Sequence, residues 1–270
     1  MPTIRQPAVA NAFYPSNVRT LTDDIAAMLK AAQTHATQTL PKAIIVPHAG
    51  YVYSGTIAAA AYASLARGRD TIKRVIMMGP THRVAVHGLA LPGLDGFATP
   101  LGIIPLCEHA IELAKQLHQV VTSLAAHAME HSLEVQLPFL QMVLTDFKLV
   151  PFAVGNATPT EVAEVLDLLW GGDETLIVIS SDLSHLLSYN VARNTDQNTV
   201  QNILELNGPL NHEQACGGTP INGLLLAAKH HNLHPVLLNA CNSGDTAGDK
   251  NRVVGYASFA FLEEDSDHVH

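Results

Sequence analysis

AIIVPHAGYVYSG occupies residues 43–55. It opens on an unbroken apolar run, turns through Pro-His-Ala-Gly, and leads into an alanine-rich stretch read as a helix from about 56 to 66. A strand covered by helices on both faces reads this way, because βαβ crossovers lay a helix on each side of a parallel sheet. RVIMMG at 74–79 and TLIVIS at 175–180 repeat the theme. Strands alternating with helices imply parallel pairing and right-handed crossovers. The expected fold is therefore α/β: a three-layer domain with a mostly parallel central sheet and helices on both faces.

Working outward, Ser16 or Asn17 can cap a helix whose apolar positions Leu21, Ile25, Met28 and Leu29 keep the 3.6-residue period. Further helices are expected over 105–119, 132–144, 159–170, 190–206 and 219–231, with Pro138 kinking or interrupting the second. KLVPFAVG (148–155), PVLLNA (235–240) and VVGYASFAF (253–261) read as strands, and 79–102 as a Gly/Pro-rich segment. The acidic end EEDSDHVH (263–270) reads as a disordered tail. No repeat or linker marks a boundary, so residues 1–270 are expected to form one domain.

Composition narrows the function. A hydrophobic content of 47% with 14% charged residues fits a well-covered core. The net charge of −9 gives no footprint for nucleic acid, which needs clustered Lys and Arg. Cys107, Cys216 and Cys241 are odd in number and far apart, unlike a secreted disulfide framework. The N-terminus lacks a signal-peptide core, and no apolar run approaches the roughly 20 residues of a membrane span. A cytoplasmic protein without membrane partners is the expectation. Fifteen histidines matter because imidazole is both a metal ligand and a proton carrier.

In open parallel sheets ligands bind beyond the carboxyl ends of the strands. His48 follows AIIVP, His82 follows VIMMGPT, Asp182 and His185 follow LIVISS, and Asp245 lies after PVLLNA. One histidine after a strand is commonly an ordinary loop residue, but four strand ends each deliver a histidine or a carboxylate. Two imidazoles plus a carboxylate permit a non-haem Fe(II) site with open positions. Zinc hydrolases use the same residue types.

Tyr51 and Tyr53 in PHAGYVYSG read equally as core packing or as an aromatic wall for a substrate ring or peptide side chain. Glu130 fits helix-dipole chemistry at the start of EHSLEVQLPFL, and His131 faces the site only if that segment points at the same strand ends. Cys216, in ACGGTP, could have a lowered pKa before a helix but reads as a buried small residue. Cys107 reads as core, and Cys241 is kept as a reserve ligand.

RQPAVANAFYP, VPHAGYVYSG, GPTHR, EHSLEVQLPFL, SSDLSH, ACGGTPI and SGDTAG…VVGYA together resemble the Memo family, from about residue 5 to 262. The bacterial and archaeal branch is called AmmeMemoRadiSam system protein B, which implies a functional link to AMMECR-type and radical SAM proteins. The resemblance implies the fold of class III extradiol dioxygenases, whose non-haem iron is held by two histidines and a carboxylate. Carried over by motif, His48 and His82 become metal ligands, His185 with Asp182 the acid/base pair, and His131 a further pocket histidine. Animal members place a cysteine shortly before the last strand. Counting back from VGYA puts that position near Asp245 or Thr246, so Asp245 is favoured over Cys241 as third ligand.

The resulting expectation is a divalent metal, Fe(II) first with Zn or Cu as alternatives, serving a redox enzyme that acts on a small aromatic molecule. Two alternatives stand beside it: a binding or adaptor protein using the same pocket for a peptide or phosphopeptide, as the resemblance to animal members implies, and a zinc-dependent hydrolase.

Overall fold

The computed structural model describes residues 2–263. Twelve strands run in chain order: β1 Ile4–Arg5, β2 Ala43–Val46, β3 Arg74–Pro80, β4 Leu89–Leu91, β5 Gly96–Thr99, β6 Gly102–Pro105, β7 Val120–Thr122, β8 Lys148–Val154, β9 Thr175–Ser180, β10 His185–Leu187, β11 Leu233–Asn242 and β12 Val253–Glu263. The helices are α1 Val18–Ala32, α2 Tyr51–Ala63, α3 Glu108–Ala114, α4 Leu124–Ala128, α5 Leu137–Val143, α6 Pro159–Leu168, α7 Tyr189–Leu204 and α8 Gly218–His230. Nine strands form the main sheet in the order β10-β12-β2-β9-β3-β8-β4-β7, with β11 added on β12, and β1-β5-β6 make a small second sheet.

The four neighbours β2, β9, β3 and β8 are parallel, and their buried positions are apolar except Thr175 and Ser180 at the two ends of β9. The sheet as a whole is mixed rather than mostly parallel. Four pairings are parallel (β2–β9, β9–β3, β3–β8, β4–β7) and four antiparallel (β10–β12, β11–β12, β12–β2, β4–β8). The reason is local. No α-helix, only a 3-10 turn at Ser243–Asp245, separates β11 from β12, so the chain returns as a hairpin, and a strand that doubles back pairs antiparallel.

The crossover β2-α2-β3 and the crossover β8-α6-β9 travel across the sheet in opposite directions. Right-handedness therefore puts α2 and α6 on opposite faces. α2 packs with α1 and α5, and α6 packs with α8.

Several elements differ in detail from their sequence reading. Asn17, not Ser16, caps α1, accepting from the Thr20 amide at 3.0 Å. α2 begins at Tyr51, directly after Gly50, rather than near residue 56. Pro138 does not kink a helix. It sits in the first turn of α5, where its missing N–H costs nothing, after a separate 3-10 turn at Glu134–Gln136. The Gly/Pro-rich segment 79–102 holds β4 and β5. Of the expected acidic tail only Glu263 is described, as the last residue of β12, and 264–270 lie outside the described residues.

The N-terminal segment is tied down by charge. Glu134, fully buried, accepts from Arg5 Nη1 at 2.7 Å, the Ala8 and Val9 amides at 2.8 and 3.0 Å, and Tyr14 Oη at 2.6 Å. Arg5 in turn donates to the carbonyls of His127 and Glu130, both at 2.7 Å. Removing one partner of a buried pair strands the other, at a cost of about 3–5 kcal/mol. Glu134→Ala is therefore expected to lower the unfolding free energy by that order in urea titrations. Unchanged stability would show that the pair is already solvated.

Candidate metal centre

Val46 ends β2 opposite Ser180, the last residue of β9, and Met78 of β3 lies opposite Ile179. His48 and Asp182 thus leave the sheet side by side, and His82 leaves it on the other flank of β9. The ring centroids of His48 and His82 are 5.2 Å apart. His131, just after α4, joins them at 5.4 Å from His48 and 4.6 Å from His82. One ring nitrogen from each lies within 4.8 Å of the others, so the three could hold a metal ion.

The hydrogen bonds around two of these rings decide which nitrogen is free. The Ser180 hydroxyl spends its single proton on the Ser132 carbonyl at 2.5 Å and accepts from Gln136 Nε2 at 2.9 Å. It can therefore only accept from His48 Nδ1, 2.9 Å away. That places the proton on Nδ1 and leaves the His48 Nε2 lone pair exposed to the site. His82 Nδ1 lies 2.9 Å from Glu130 Oε1. An ionised carboxylate accepts only, so His82 too presents an Nε2 lone pair. Metal-ligating imidazoles are held in this manner, through the second nitrogen.

Two buried carboxylates also clamp the backbone at these histidines. Asp182 Oδ1 accepts the His48 amide and Glu130 Oε2 accepts the His82 amide, each at 2.7 Å. Burial pushes Glu130 upward, but donation from the His82 ring and from the Ser132 and His82 amides outweighs it and holds the group at about 2. Asp182 is pushed up to about 6 by burial, with the His48 amide opposing. Burial likewise depresses His48, and takes His131 down to about 4. The depressed pKa values keep His48 and His131 uncharged at neutral pH, and three imidazoles beside a carboxylate are a donor set that fits a divalent cation.

Cys216 is the residue that sequence reasoning passed over. Its Sγ stands 3.3 Å from His48 Nε2, and its amide donates to the Asp182 carbonyl at 3.3 Å. Gly217 makes this approach possible: a Cβ there would fall 2.6 Å from Ser181 Cβ. The double glycine of ACGGTP was the available signal. Its thiol is pushed up to about 12 by burial, not lowered by the helix that follows.

Beyond His82 and Cys216 opens a cavity of about 1080 Å³. His185 lines it, and so do Val86, Val154, Leu187 and Val191. His185 Nδ1 lies 2.9 Å from the Leu183 carbonyl, which can only accept, so its Nε2 is also a free acceptor. Leu183 rather than Asp182 supplies that orienting bond. The β10–β12 pairing is irregular between His185 and Leu187, and Leu186 takes φ 60°. Such irregularities re-aim a side chain.

The remaining candidates lie elsewhere. Asp245 ends a 3-10 turn that Asn242 caps, and its carboxylate accepts from the Asn242 amide at 3.1 Å and from Tyr189 Oη at 2.5 Å. With Cys241 it lines a separate cavity of about 460 Å³, so the structure brings neither to the histidines. Tyr51 donates to the Val135 carbonyl at 2.7 Å and packs between Tyr14 and Phe139. Neither it nor the half-exposed Tyr53 lines the cavity beside His82.

A family profile described as Memo-like protein matches residues 5–260. The chain belongs to the Memo family. It is 36% identical to a MEMO1 family protein of Methanosarcina barkeri, over 94% of this chain and 98% of that one. A MEMO1 family protein of Methanocaldococcus jannaschii is 34% identical over 96% of this chain and 99% of its own. Among solved structures, the uncharacterized protein JW3007 of Escherichia coli K12 superposes with a TM-score of 0.54 at 13% identity, covering 80% of this chain and 98% of that one. That likeness concerns the fold alone. In this Memo chain no helix among the described residues is long and apolar enough to cross a membrane.

Two outcomes follow from the site. Ser180→Ala frees the His48 tautomer and should weaken metal affinity by about 10–100-fold, measured by competition with a chelating dye. Retained affinity would show that the tautomer is set elsewhere. Bases whose folded pKa is depressed stabilise the fold fully above their unfolded value and lose that contribution as pH falls. His48, His127 and His131 are all of this kind, the latter two at about 4 against 6.5. Asp182, at about 6 against 3.8, and Asp196, raised by burial, act in the opposite sense, two groups against three. The unfolding free energy of chelator-treated protein should therefore fall between pH 6.5 and 4, and a rise would contradict the burial of these rings as neutral groups.

Proposed function

We propose that this Memo protein is a metal-dependent oxidoreductase, its ion held by His48 and His82 with His131 and Cys216 adjoining, and its substrate a small aromatic diol in the cavity beside them. One observation carries the reading: His48 and His82, whose tautomers Ser180 and Glu130 set, come together beside a large cavity lined by His82 and Cys216, on whose wall His185 stands. Fe(II) bound there would supply redox chemistry with dioxygen, as iron sites with open positions do. The protein's own residues then divide the work. Val86, Val154, Leu187 and Val191 give an apolar wall for a ring, and His185 Nε2 is placed to take a hydroxyl proton from it.

A phosphopeptide site would need Arg or Lys for the phosphate. None lines this cavity among the described residues, which weighs against an adaptor using it in that way. A zinc-dependent hydrolase is the second reading, favoured by the all-imidazole triad, a donor set that also suits zinc.

The test is metal analysis of protein purified anaerobically and without chelating resin, followed by oxygen uptake with a panel of catechols. Stoichiometric iron and uptake are expected, and His185→Gln should keep the metal while losing turnover by about 10²–10⁴-fold. Stoichiometric zinc without oxygen uptake would replace this reading with the hydrolytic one.

A further inference from the structure

The three histidines meet, but they are not held alike. His48 is fixed by Ser180 and His82 by Glu130, each through a hydrogen bond to Nδ1 at 2.9 Å. The His131 ring has no such bond. Its Nδ1 stands 3.3 Å from Glu130 Oε1. That oxygen already accepts from His82 Nδ1, the His131 amide and the Ser132 amide, each at 2.9 Å. A carboxylate oxygen offers about two lone-pair sites, so nothing directed remains for the ring.

Packing holds His131 instead. Its ring stacks on His82 with an interplanar angle of 30°, and the Phe13 ring closes over it at 4.8 Å. One stacked ring and one tilted ring, the latter at 44°, confine the imidazole, but they select neither its tautomer nor its rotation within its plane. They also do not raise its basicity as a ligand, which the hydrogen bond from a second ring nitrogen does. Phe13 itself comes from the N-terminal segment that Glu134 ties down, and its contact with the imidazole is apolar and undirected.

We infer that His131 is the exchangeable donor of the triad: it completes the coordination of the ion while the cavity holds only water, and yields its place to an oxygen of the incoming substrate. His48 and His82 stay bound throughout. The inference rests on the metal reading above and adds to it which ligand leaves. The exchange is one nitrogen out and one oxygen in, with no change of oxidation state.

Cobalt(II), whose visible spectrum reports ligand number and type, is the probe, with catechol as the incoming ligand. His131→Ala should weaken cobalt binding by less than about tenfold, below the about 10–100-fold that loss of a merely orienting bond costs. His82→Ala should weaken it by well over about 100-fold, since a ligand counts for more than its support. Without catechol the spectra of wild type and His131→Ala should differ, and with saturating catechol they should coincide. His131→Gln repeats the comparison if the alanine variant does not fold. Loss of affinity in His131→Ala equal to that in His82→Ala, or spectra that still differ with catechol, would overturn the inference. Wild type that binds cobalt with no spectral response to catechol would overturn it while leaving the metal site standing. Wild type that binds no cobalt would remove the metal site and the inference together.

Discussion

The parallel ladder of β2, β9 and β3 is the constraint on which the site depends. Because the three strands point the same way and are in register, their chain exits fall at one edge, with Val46 level with Ser180 and Met78 with Ile179. Each exit leaves a backbone amide without a ladder partner, the one at His48 buried and the one at His82 beside the open cavity. A buried donor must be paired, and here buried carboxylates do it. Asp182 takes the amide of His48 and Glu130 that of His82. The groups that end the strands are thereby the groups that aim the imidazoles.

The two carboxylates meet different surroundings, and their proton affinities diverge. Glu130 collects three amide donors and a ring N–H, enough to overcome burial, and stays ionised well below neutral pH. Asp182 collects the amides of His48 and Ala49, too few to offset its burial. Neutral imidazoles packed at ring distances of 4.6–5.4 Å repel one another once protonated, which adds to the effect of burial on His48 and His131. A divalent cation relieves both conditions, since it favours ionised carboxylates and takes up imidazole lone pairs without a proton.

Stability and site geometry share one stretch of chain. Between residues 130 and 136, Glu130 orients His82, Ser132 takes the Ser180 proton on its carbonyl, Glu134 anchors the N-terminal segment, and Gln136 fills the second position on the Ser180 hydroxyl. Arg5 reaches into the same stretch through the Glu130 carbonyl. The N-terminal residues therefore close the core and also place Phe13 on His131.

The sequence by itself determined β2, β3, β8, β9, β11 and β12, most of the helices and the strand ends where candidate ligands gather, because buried strands are apolar along most of their length and polar residues collect at their exits. His48, His82, Asp182 and His185 were legible on that ground. It could not determine what long-range contacts decide. Pairing direction at the sheet edge depends on how β11 returns to β12, and that return lifted the Asp245 loop away from the histidines and onto Tyr189. Glu130 looked like helix-dipole chemistry because its partner, His82, is 48 residues away. Cys216 looked like a small core residue because its partner, His48, is 168 residues away, and only the packing of Gly217 on Ser181 shows why it can come so close. Local pattern reports which face of an element is buried. Which side chains meet across that boundary is set by the register and crossing of distant elements, and only the tertiary structure holds that information.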